Sequence, residues 1–129
     1  MDLEGMRRAL SSIRLVVFPL PGDTPYLVER LREAVVSAGL LAFVRAEGYA
    51  FMHTELVGIY GLPHLRLAAT EDRISLWVRD GHKLGLGPEL PGLSVEQLYE
   101  DIVEGARAAA SVIERYRDEK GIGALIQVP

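Results

Sequence analysis

The stretch from Ser94 to Gly121 constrains this chain more than any other. Ser94 and Gln97 form a capping-box pair, in which each side chain can satisfy a backbone N–H at the other's position. Apolar residues then recur at Val95, Tyr99, Ile102, Ala106, Ala109, Ile113 and Tyr116, alternating four and three apart, which is one face of a helix. Lys120 in the last turn and Gly121 after it are stop signals. The pattern predicts one helix of ~26 residues, roughly 39 Å long. Its apolar stripe cannot be left in water, so the remainder of a 129-residue chain has to supply a surface for it. That length is close to the usual size of one domain, and residues 1–129 read as a single domain, with 1–12 a short N-terminal helix or tail. A content of 49% hydrophobic and 25% charged residues is enough for a core and argues against disorder.

Several other segments are legible. Ile13 to Phe18 is β-rich and ends at Pro19, the pattern of a buried strand. Thr24 and Pro25 open a second helix, with threonine as the N-cap and proline at the first helical position. Leu27, Leu31, Ala34, Val35 and Ala38 form its apolar face, and Gly39 closes it. Leu40 to Ala46 reads as a strand, as does 50–60. Leu65-Arg66-Leu67 and Ile74 to Arg79 alternate in character around the polar turn Thr70-Glu71-Asp72-Arg73, the signature of an antiparallel hairpin. A glycine- and proline-rich loop spans 80–93, and Ala124, Ile126 and Val128 suggest a last short strand.

The expected class is therefore α+β, a mostly antiparallel sheet with two main helices on one face. The order β-α-β-β-α-β, with an extra strand or two in the middle, is close to the split β-α-β arrangement of ferredoxin-like domains. That is a statement of topology, and many unrelated functions share such folds.

Composition narrows the function classes. Without cysteine there are no disulfides, thiolate metal sites or thiol nucleophiles. No apolar run reaches the ~18 residues that span a membrane. Residues Met1 to Ser12 lack the apolar centre of a secretory signal, so a cytoplasmic location is expected. The net charge of −4 counts against nucleic acid as a partner. Twelve Arg against two Lys, with no Asn and only Gln97 and Gln127, fits a chain adapted to heat.

Candidate sites are weakly marked. His53 and Glu55 would share one face of a strand, ~7 Å apart, and with His64 or His82 could hold a divalent ion. The spacing matches no dedicated metal motif, and neither a metal nor a cofactor is assigned. His82 and Lys83, in the glycine-rich loop 80–93 ahead of a helix N-terminus, could meet an anion. Glu96, Glu100, Asp101 and Glu104 read as a wet acidic face that complements the helix dipole. Arg66, Arg73, Arg79 and Lys83 lie on or beside the hairpin, and a basic sheet face that carries Trp77 could stack single-stranded bases, but Glu71, Asp72 and Asp80 in the same segment offset the charge.

Trp77 falls on the side of its strand opposite Ile74, where an exposed indole marks an interface. Ala108 and Ala110 lie off the core stripe of the last helix and leave room for a second helix. No serine, histidine or carboxylate motif for nucleophilic catalysis is present. The reading that follows is a non-enzymatic domain acting by self-association or as a subunit of a larger complex. Its alternative is a ligand, anion or metal site, or a small enzyme, around His53, Glu55, His82 and Lys83.

Overall fold

The structure, a computed structural model, describes residues 1–38, 43–45, 50–52, 61–81 and 94–129. In chain order its elements are α1 (Leu3–Leu10), β1 (Arg14–Val17), α2 (Thr24–Ala38), β2 (Phe43–Arg45), β3 (Ala50–Met52), β4 (Pro63–Ala69), β5 (Ile74–Asp80), α3 (Val95–Lys120) and β6 (Ala124–Gln127). The strands form one sheet in the order β2-β3-β4-β5-β1-β6, and every neighbouring pair is antiparallel. The α+β class expected from the sequence is the one observed.

The local signals explain most of these elements. Asp2 caps α1 through a 2.7 Å bond from the Gly5 N–H to its carboxylate. Glycine suits that position, because a Cβ would sit 2.9 Å from the capping oxygen. The capping box of α3 is complete, with Gln97 N–H donating to Ser94 Oγ and Ser94 N–H to Gln97 Oε1. The same helix ends at Gly121 in the left-handed conformation, whose N–H donates to Arg117 O. The hairpin turn closes where Thr70 N–H donates to Arg73 O at 2.8 Å.

One expectation about caps is corrected. Thr24 does not cap α2. Leu27 N–H donates to Asp23 O, which puts the cap one residue earlier, and the Thr24 hydroxyl instead donates to Glu71 O in the hairpin turn. The strand β1 is buried as expected over residues 15–17, with Leu15 and Val17 pointing into the core and Val16 9% exposed on the other side, while Arg14 and the following Phe18 are exposed.

Register sorts the strand side chains. Leu15, Val17, Leu65, Leu67, Ile74 and Leu76 lie on one face of the sheet and are buried. Against that inner face sit Met6 and Leu10 of α1, Leu27, Leu31 and Val35 of α2, and the apolar side of α3, all in one core. The long helix contacts α1, α2 and the sheet, so its buried band is wider than the predicted stripe. Leu98, Val103, Gly105 and Ala110 are buried with it. Asp101, expected on the wet acidic face, is also buried, at 7% exposure.

Two contacts set how closely α3 approaches. At Gly105, an added Cβ would come within 3.2 Å of Leu65 Cδ1 and 3.3 Å of Val35 Cγ1, so sheet and α2 meet the helix there. Near its other end, Tyr116 Oη donates to Asp23 Oδ2 at 2.6 Å and accepts from Leu20 N–H at 2.9 Å, fastening the β1–α2 connection. Desolvation, then the hydrogen bond to Asp23, raises the pKa of this phenol and keeps it a donor.

Gly105→Val should overpack this junction and cost about 1–3 kcal/mol, read as a lower urea midpoint with an unchanged slope. Tyr116→Phe should cost about 1–2 kcal/mol by stranding the Leu20 N–H and one Asp23 oxygen. A thermal midpoint equal to wild type would show that the connection holds without the phenol.

Candidate functional site

With α1, α2 and α3 all on the inner face, no described helix covers the outer one. Its side chains follow from register. Arg14 on β1 lies opposite Trp77 on β5, and Trp77 lies opposite Arg66 on β4. Arg14 is also paired with Gln127 on β6, so one row crosses the sheet as Gln127, Arg14, Trp77, Arg66. The next row is Leu125, Val16, Ser75, Ala68. His64 faces Arg79 across β4 and β5.

A shallow hollow of ≈ 640 Å³ opens on this face. Its lining includes Arg14, Val16, Phe18, Arg73, Trp77 and Leu125, and no acidic residue. Phe18 is 49% and Leu125 38% exposed, while Trp77 is half-buried. Apolar residues on a wet sheet face are informative only as a group, and these line one hollow.

The β4 end of the face holds buried polar atoms that no described residue satisfies. His64 is only 4% exposed, and its Nδ1 lies 3.4 Å from Leu62 O. A carbonyl only accepts, so Nδ1 carries the proton and Nε2 presents a lone pair. That Nε2 and the Nε of Arg66 are buried and make no hydrogen bond to any described residue. Burial lowers the His64 pKa most; Arg66 and Arg79 lower it further, against opposing effects from the Leu62 carbonyl and Asp80. The imidazole is therefore held neutral between two guanidinium groups.

No family model, curated protein or solved structure matches the chain. What the face can do has to be argued from its own residues. Among the described residues no group of three or more His, Asp or Glu could hold a metal ion. His64, considered as a third metal ligand, has cationic neighbours that would repel a divalent ion. The other candidates for that site, His53, Glu55, His82 and Lys83, lie outside the described residues.

The proposed contact residues fare differently. Trp77 is on the outer face, as strand alternation predicts. Ala108 is half-buried, but Ala110 is 4% exposed and belongs to the chain's own core, because α3 packs against α1, α2 and the sheet. Sequence reasoning missed Arg14, Val16, Phe18 and Leu125 as companions of Trp77. The signal was present in the alternation of β1, but a run of β-formers reads as continuous burial.

Because the folded histidine has the lower pKa, the unfolded chain takes up the extra proton first as pH falls. The stability from neutral His64 is complete above about pH 6.5 and is lost progressively below it, down to the depressed folded value. His64→Gln should therefore lose less thermal stability than wild type on acidification through that window. Direct titration of the ring by NMR should give a value below the ordinary histidine range, and a normal or raised value would refute the assignment.

Proposed function

We propose that this chain is a non-enzymatic domain that works by association, in the cytoplasm, as one subunit of a larger assembly. Its contact surface would be the outer sheet face around Trp77. The observation that carries the reading is the hollow lined by Val16, Phe18, Trp77 and Leu125, on the side of the sheet opposite the three helices. A half-buried indole with exposed apolar neighbours is the composition of a contact core, where aromatic residues contribute most of the binding energy.

Two features favour a different partner over a second copy of the chain. A two-fold contact through this face would set Arg14, Arg66, Arg73 and Arg79 of one copy against the same residues of the other, and like charges at an interface oppose association. A contact through the last helix fares no better, because Gly105, Ala106, Ala109 and Ala110 are already buried inside the molecule.

Photo-crosslinking in the source cell tests the surface without naming the partner. p-Benzoylphenylalanine replaces either Leu125, exposed on the outer face, or Val36, exposed on α2. Adducts are expected from position 125 and not from 36. Adducts from 36 alone, or none from 125, would sink the assignment of this face, and an adduct of twice the chain's mass would restore self-association.

A further inference from the structure

We infer that the outer sheet face binds single-stranded nucleic acid, with a base stacked on Trp77 and phosphates met by the arginines around it. The inference rests on the association reading above and supplies its partner. Composition argues the other way, since the chain carries a net charge of −4 and three acids lie close to the hairpin arginines in sequence. The fold separates them. Asp80 turns toward α1, where Arg7 Nε donates to its carboxylate at 3.2 Å. Asp72 accepts the Thr70 hydroxyl within the turn. Glu71 lines a different hollow, between the turn and α2.

Among the described residues, what remains on the outer face is cationic. Arg14, Arg66 and Arg79 occupy outward register positions, and Arg73 lines the hollow. No Asp or Glu holds a described outward position on β1, β4, β5 or β6. Among the described residues, none of these four arginines makes an ion pair. Guanidinium groups with no described ion-pair partner, of which Arg14 and Arg73 line the apolar hollow, are complementary to an anion that also brings a flat apolar surface.

A nucleotide strand has both parts. Arg14 and Arg66 are on the strands either side of Trp77, so their backbones are about 10 Å apart with the indole between them. A base can lie on the ring while the neighbouring phosphates reach the exposed forks of Arg14 and Arg73, which line the hollow, and Arg66 adds positive charge on the far side of the indole. An acidic peptide would meet the arginines but leave the indole without a flat partner. A duplex keeps its bases stacked on one another and offers the ring no free face.

Trp77 is the only tryptophan in the chain, so its fluorescence reports on this site alone. Oligothymidylate and oligouridylate of about a dozen nucleotides would be titrated at low and moderate salt, beside an oligoglutamate of matched charge and a DNA duplex. Quenching by the single strands is expected, with log affinity falling against log salt by about 0.7 per phosphate contacted. Labelled oligonucleotide anisotropy then compares variants. Trp77→Ala should weaken binding about tenfold or more and Trp77→Phe much less. Arg14→Glu, at an exposed position, should weaken it and flatten the salt slope.

Equal affinity for oligoglutamate or for duplex would overturn the proposal, as would binding indifferent to Trp77→Ala in a variant that retains the wild-type fold. Absence of binding at low salt would also overturn it. If crosslinks from position 125 persisted in that case, the association reading would stand with a different partner; if they were absent too, both would fall.

Discussion

The close approach of the long helix to α2 and the sheet is the constraint on which the architecture depends. Gly105 and Ala106, followed one turn later by Ala109 and Ala110, are all buried where α3 runs between its neighbours. At Gly105 the gap to Leu65 and Val35 is too small for even a methyl without adjustment. Small side chains at this junction let one helix serve as the centre of the whole layer, touching α1, α2 and the inner strands together. Interiors pack at crystal-like density, so a few added methyl groups here would move elements rather than fill space.

That arrangement also decides where the rest of the surface goes. Three helices gathered on one side bury the inner residues of β1, β4 and β5 and leave the other side of the same strands facing outward. An antiparallel sheet tolerates this, provided its outward positions are polar. Arg14, Arg66, Ser75, Arg79 and Gln127 meet that condition, but Val16, Phe18, Trp77 and Leu125 do not. The face thus departs from the solvent-facing pattern at contiguous positions, which scattered surface hydrophobes would not do.

Features that depend on residues close in sequence were legible in advance. The capping box at Ser94 and Gln97, the left-handed stop at Gly121 and the turn at Thr70–Arg73 each involve four or five consecutive residues, and all are present. The errors share one cause, a tertiary partner that local pattern cannot contain. Thr24 has the side chain of an N-cap but spends it on Glu71, brought alongside by the hairpin. Asp101 and Ala110 sit off a two-sided stripe, yet α3 has neighbours on more sides than the stripe implies. Of the candidate site, Trp77 followed from simple alternation, while Arg14 was hidden in a run that looked buried throughout. The strand expected over 50–60 is present at Ala50–Met52, and its remainder lies outside the described residues.

The weakness of net charge as a guide has the same origin. The total of −4 includes Glu96, Glu100, Glu104, Glu114, Asp118 and Glu119, all exposed on α3. Layers of secondary structure stack at about 10 Å, so these carboxylates lie beyond a full layer from the outer sheet face. The Debye length in physiological salt is about 8 Å, and solvent-exposed charges separated by more than that scarcely sense each other. A partner approaching Trp77 meets the arginines of the strands and little of the acid on the helices behind them. Whether a chain is acidic overall is a question about its solubility; what a partner feels is set by the charges within a Debye length of the surface it touches.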